Sequence, residues 1–322
     1  MCVLFSCSFL ARRVRKNSIN IQRLNGEFGV SGQLSFFEAQ GGLPFLQVSN
    51  QNASALISLY AGQVLSFQPV NATEDMLFVS SNAYFHEEKA IKGGIPICWP
   101  WFGDVLANPS LPAHGFVRNN FWRVTRVDSL ENNDTDIQLE FVNTPKTRTY
   151  WPDSFRLSLK IVIGHTLTVE LATINSGHQV FAISEALHTY FKVADVQQIT
   201  VGGLENTDFL DKTEGFAQKH QRGVVKVSAE TDRIYLNTSA SIVIHDPILN
   251  RQINISSSGN RHVVLWNPWC QGSTTLADLH PDDYHSFICV EMANALPHSV
   301  EIAPGQSHSL TANFSIMPHS QH

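Results

Sequence analysis

Two titratable side chains stand alone in apolar surroundings. His188 lies in Ser184-Glu185-Ala186-Leu187-His188-Thr189-Tyr190-Phe191, and Glu291 lies in Phe287-Ile288-Cys289-Val290-Glu291-Met292. An imidazole titrates near neutral pH, so a partly desolvated one gives up or takes up a proton at little cost. A carboxylate in an apolar run is either paired with a cation or kept for function, because an unpaired buried charge is expensive. Together they would suit general acid–base chemistry. Each also has a plainer reading, a core histidine bonded to a backbone carbonyl and a glutamate in a structural ion pair.

Two further segments bring cations. Lys92-Gly93-Gly94-Ile95-Pro96-Ile97-Cys98-Trp99-Pro100-Trp101-Phe102-Gly103 is soon followed by Pro112-Ala113-His114-Gly115-Phe116-Val117-Arg118-Asn119. Gly and Pro interrupt helices, so these stretches read as irregular chain. Such chain can wall a cleft, with Trp99, Trp101 or Phe102 offering flat faces and Lys92 and Arg118 meeting an anion. The alternative is a Gly/Pro-rich crossover whose aromatics belong to the core.

The remaining histidines and cysteines do not compose a metal site. His280 and His285 flank Pro281-Asp282-Asp283-Tyr284; that offset puts them on opposite faces of a strand, and Pro281 opposes a helix. A solvated loop is expected there. His308, His319 and His322 fall toward the C-terminal end, where chains tend to be mobile. The five cysteines (Cys2, Cys7, Cys98, Cys270, Cys289) form no CxxC pair, which argues against both a zinc knuckle and a disulfide framework. Reduced, mostly buried thiols in the cytoplasm are expected.

The elements that must position these groups read as strands. Phe155-Arg156-Leu157-Ser158-Leu159-Lys160-Ile161-Val162-Ile163 and Leu167-Thr168-Val169-Glu170-Leu171-Ala172-Thr173-Ile174 partly alternate, with Gly164-His165 between them. That is a hairpin with one buried face. Further strands fit residues 56–60, 239–245, 252–256, 263–266 and 308–316, and residues 132–136 read as a turn. No stretch of 12 or more residues shows helical amphipathicity, and the strand–helix alternation of a parallel fold is absent. The fold class expected is all-β, a large antiparallel sandwich.

Composition agrees. The 322 residues are 43% hydrophobic and 16% charged, a low charge content that suits a large sheet structure. A net charge of −6 argues against an extended nucleic-acid surface, which needs clustered Lys and Arg. Residues 1–17 run apolar first and basic second, the reverse of a secretory signal, and are too short to span a bilayer. They are expected to be a disordered extension, with residues 18–322 as a single domain and no membrane segment.

The motifs resemble one family. Lys92-Gly93-Gly94-Ile95-Pro96, His114-Gly115-Phe116-Val117-Arg118-Asn119, Leu187-His188-Thr189-Tyr190-Phe191 and Cys289-Val290-Glu291 look like the signature of the glucose-6-phosphate 1-epimerases, hexose-6-phosphate mutarotases of the aldose 1-epimerase superfamily. Asp211-Lys212 after Gly202-Gly203-Leu204, Glu230-Thr231-Asp232-Arg233-Ile234-Tyr235 and Val264-Leu265-Trp266-Asn267-Pro268 also match, in order. The resemblance implies a galactose-mutarotase-like sandwich that needs no cofactor and no metal. It implies His188 as general acid, Glu291 as general base, Lys92 and Arg118 at a phosphate, Asp232 on sugar hydroxyls, and His114 in the substrate site. Some members have Arg at the place of Lys92 and Gln at the place of Ala113; lysine neutralises a phosphate but does not grip it bidentately. The partner implied is a small sugar phosphate, with a monomer expected. An epimerase of free aldoses and a non-catalytic carbohydrate-binding sandwich are the alternatives.

Overall fold

In a computed structural model the described residues are 19–105, 108–238 and 241–318. The expected extension at 1–17, and His319 and His322, lie outside them. The hairpin forms where the alternation placed it. Strands Phe155–Ile163 and Leu167–Asn175 bury every second residue and pair antiparallel, with Phe155 opposite Asn175 and Ile163 opposite Leu167. They belong to an eight-stranded antiparallel sheet whose buried face meets a second eight-stranded sheet. Contacts across the gap include Trp99 Nε1, which donates to Thr173 Oγ1 at 3.0 Å, and the rings of Phe191 and Phe314, 5.6 Å apart. The chain is therefore an antiparallel sandwich, as expected. A four-stranded sheet from Leu34–Glu38 to Gln63–Pro69 adjoins it. The two α-helices among the described residues, Ile21–Phe28 and Trp269–Thr275, are too short to show as amphipathic stretches.

Strand boundaries differ in detail. The strand expected at 56–60 runs instead over Ala53–Ser58, because Ala61 and Gly62, at φ 73° and 61°, turn the chain. The strand expected from 239 is Ile242–Asp246.

The second sheet differs from the first in a way that matters for function. Strand Phe287–Asn294 is buried on both faces along its whole length. Ile288, Val290 and Met292 enter the main core, whereas Cys289 and Ala293 join smaller clusters on the opposite face. Side chains alternate across a strand, so Glu291 shares that outer face. The neighbouring strand His262–Asn267 obeys the same parity, with Val263 and Leu265 in the core and Val264 and Trp266 outside.

An ion pair ties the two sheets together. His308 Nε2, on strand Ser307–Pro318, lies 2.9 Å from Oε1 of the fully buried Glu185 on strand Glu185–Leu187. Asn294 Nδ2 donates to the same oxygen at 3.1 Å. The hydrogen bond to Glu185 raises the His308 pKa above its ordinary 6.5. A raised histidine stabilises the fold fully below its unfolded-state value, and the contribution is lost as pH rises through the folded value. Wild type should therefore melt above His308→Gln in mildly acidic buffer, with the gap closing as pH is raised. A gap that stays constant with pH would refute this linkage.

Candidate active site

Register alone brings the acid–base candidates together. Leu187 pairs with Met292 and Tyr190 with Cys289, so strands Glu185–Leu187 and Tyr190–Lys192 lie in one continuous register on Phe287–Asn294. Continuing it across the gap sets His188 opposite Glu291, and opposed side chains of an antiparallel pair sit within contact range. His188 Nε2 lies 3.4 Å from Glu291 Oε1. The strand is interrupted there because the His188 N–H turns to Pro96 O at 3.0 Å and the Thr189 N–H to Leu187 O at 2.9 Å.

The pair borders a cleft of about 210 Å³. Its sheet-derived wall continues to strand Thr231–Leu236, where Asp232 pairs with Trp266 and Trp266 pairs with Cys289. Tyr190 stacks on the His188 ring at 5.0 Å, and Trp266 meets it edge-on at 6.0 Å. Loops close the remaining sides and bring Lys92, Phe102, His114, Arg118 and Lys212 to the cleft. All six residues expected at the site are thus gathered in one place.

The charges are distributed unevenly. Lys92 Nζ is 3.4 Å from Asp278 Oδ1, and Lys212 Nζ is 2.7 Å from Asp232 Oδ2. Arg118 has no ion-pair partner among the described residues; its Nη2 donates to Ala113 O at 2.9 Å and its Nε is unpartnered. Burial governs the proton affinities. It holds the His188 and His114 imidazoles well below their ordinary value and pushes the Glu291 carboxyl well above its own. It also raises the Cys98 thiol to about 12, so Cys98, whose Sγ lies 3.5 Å from His114 Nδ1, is no thiolate nucleophile. His188 Nδ1 and Glu291 Oε2 are buried without a hydrogen-bond partner. Such groups cost stability and are kept at sites that use them.

The irregular segments are held by close backbone packing. Gly115, next to His114, has φ 75°, and a Cβ there would fall 1.8 Å from Trp99 O. Positive φ is strained for any residue with a Cβ, and here nothing flexible can yield. Gly115→Ala should cost at least about 1–3 kcal/mol of stability, read as a lower Tm. It should also weaken the site by displacing His114 and Arg118. Unchanged stability and activity would show that the turn tolerates the methyl.

Of the flat aromatics expected along the cleft, Phe102 alone lines it. Trp99 is fully buried in the core, and Trp101 packs on Phe116 with its indole N–H on Pro112 O at 2.8 Å. The motif strings contained Trp266, Tyr190 and Lys212, yet sequence reasoning gave them no place in the site. Strand parity with Glu291 would have marked Trp266. His285 lies within the 3₁₀ turn Asp283–Ser286 and His280 just before it, and no cluster of three or more His, Cys, Asp or Glu able to hold a metal occurs among the described residues.

Comparison with known proteins gives a consistent picture. The family model described as Aldose 1-epimerase matches residues 44–315. A Salmonella typhimurium protein named "Putative glucose-6-phosphate 1-epimerase" is 37% identical over 257 residues, covering 79% of this chain and 84% of its own. One of the same name from Cenchrus ciliaris is 32% identical over 285 residues, covering 84% and 83%. A Salmonella typhimurium crystal structure described as a "putative mutarotase" superposes with a TM-score of 0.84 at 32% identity, over 90% of this chain and 96% of that one.

Proposed function

This chain belongs to the aldose 1-epimerase family, and we propose that it interconverts the α and β anomers of hexose 6-phosphates, glucose 6-phosphate foremost. The observation that carries the chemistry is the contact of His188 with Glu291 at 3.4 Å beside the cleft. Glu291 takes the proton from the anomeric hydroxyl while His188 protonates the ring oxygen, and the C1–O5 bond opens. Rotation about C1–C2 exposes the other face of the aldehyde. Closure then runs the same transfers in reverse. Nothing is gained or lost but the configuration at C1.

Burial favours these transfers. A carboxylate held above its usual range is a stronger base, and an imidazolium held below its usual range is a stronger acid. Opening converts a charged pair into a neutral one, which a dry cleft prefers. The competent enzyme carries one proton shared between the two groups, so their titration belongs to the pair.

Arg118 is the cation best suited to the phosphate, because no carboxylate in the described structure neutralises it. Lys92 assists beside it. Asp232 accepts from sugar hydroxyls, His114 borders the substrate, and Phe102 and Trp266 pack against the apolar faces of the ring. A sugar-phosphate substrate and the free thiols of Cys98, Cys270 and Cys289 suit the cytoplasm. No helix among the described residues is long and apolar enough to cross a membrane.

Polarimetry from pure α anomers tests the proposal, with glucose 6-phosphate and glucose compared side by side. Faster catalysed mutarotation of the phosphorylated sugar is expected, with added salt slowing it selectively by screening the phosphate. Equal turnover of both sugars would instead favour a free-aldose epimerase, and binding without turnover a carbohydrate-binding sandwich.

A further inference from the structure

The cleft contains a third cation, Lys212, whose ammonium lies 2.7 Å from Asp232 Oδ2. Asp232 and Glu291 are two carboxylates lining the same confined space. Like charges in such a space raise each other's affinity for protons. We propose that Lys212 is a positioning residue: its ammonium cancels the charge of Asp232, which keeps Asp232 an ionised hydroxyl acceptor and leaves Glu291 free to cycle its proton. This rests on the acid–base reading of His188 and Glu291 above.

The local structure is built to hold that ammonium in place. Lys212 opens the 3₁₀ turn Lys212–Glu214, directly after strand Asp208–Asp211, which pairs with the strand bearing Asp232. Asp211 fixes the turn by accepting from Thr213 N at 3.2 Å and Thr213 Oγ1 at 2.6 Å, and by pairing with Lys219 Nζ at 2.9 Å.

The other groups facing Glu291 leave this task to Lys212. On its own sheet, His188 is its proton partner, Tyr190 is held neutral by burial, and so are the Cys98 and Cys289 thiols. From the loops, Lys92 is already paired with Asp278, and burial keeps His114 neutral. Arg118 remains, but a bound phosphate would neutralise it. Lys212 is then the cation left to offset Asp232. In agreement, burial is the first cause raising the proton affinity of both carboxyls, Asp232 raises that of Glu291 further, and Lys212 lowers both, ahead of Arg118 at Glu291.

The test measures kcat/KM against pH for Lys212→Met, Lys212→Gln, Lys212→Arg, Asp232→Asn and the Lys212→Met/Asp232→Asn double variant. In parallel, carbon-13 NMR follows the glutamate carboxyls of the ligand-free protein, with Glu291→Gln identifying the relevant resonance. Removing the lysine charge should move both limbs of the profile, and the Glu291 titration, to higher pH. Activity should fall several-fold on the acid side and be kept or rise on the alkaline side. Asp232→Asn should shift both the other way, while the double variant and Lys212→Arg should return close to the wild-type position. A uniform loss of kcat/KM at every pH, with the Glu291 resonance unmoved, would overturn the proposal and leave Lys212 a substrate contact or a structural residue. The resonance needs no turnover, so a wild-type protein without epimerase activity would refute the acid–base reading while the NMR arm still decides the role of Lys212.

Discussion

His188→Asn and Glu291→Gln should each lower kcat by about 10²–10⁴, the usual value of one positioned proton-transfer group. The double variant should lose little more than the worse single one, because the two act as a unit and the second has no partner once the first is gone. Stability should move the other way. Glu291 is a buried carboxyl whose Oε2 has no hydrogen-bond partner, so replacing it with a neutral group of the same shape removes a desolvation cost. We expect Glu291→Gln to melt no lower than wild type. The wild-type kcat/KM profile should be bell-shaped, with its acid limb above the ordinary carboxylate range because burial raises Glu291. Stopped-flow polarimetry and thermal melts on the purified variants test all of this. Wild-type kcat in either folded variant would remove that residue from the mechanism.

Arg118→Ala should separate the two sugars. Charge-assisted hydrogen bonds contribute about 1.5–3 kcal/mol, so kcat/KM for glucose 6-phosphate should drop roughly 10- to 150-fold, with little change for glucose. Lys92→Ala should give a smaller loss. Its flexible ammonium fixes less geometry than a guanidinium, and its charge is already shared with Asp278 at 3.4 Å. The specificity ratio is the deciding measurement. Equal losses for both sugars would mean that Arg118 supports the fold or the acid–base pair, and the free-aldose reading would then be preferred.

The placement of these groups was only partly legible in the chain. Alternation at 155–174 was sufficient for the hairpin, because one face of that sheet meets water and a period of two is visible wherever one face is polar. Around Glu291 the pattern carried less information. Both faces of Phe287–Asn294 are buried, so the run is apolar throughout and does not reveal which residues face the core. The same ambiguity hid the roles of Trp99 and Trp266: one entered the core, the other the cleft, and both stand in apolar surroundings.

What the sequence determined by itself was the set of reactive side chains and the all-β frame, since a lone histidine or carboxylate in an apolar run and a two-residue period are local properties. It was the resemblance to the glucose-6-phosphate 1-epimerases, carried by the motifs, that implied one site for Lys92, His114, Arg118, His188, Asp232 and Glu291. Only the tertiary structure decided which cations were already occupied. Lys92 is held by Asp278 and Lys212 by Asp232, across separations of 186 and 20 positions in the numbering, and Arg118 is left to meet an anion. Ion pairing depends on distance in space, and at these separations that distance is set by strand register and loop packing rather than by any local pattern of residues.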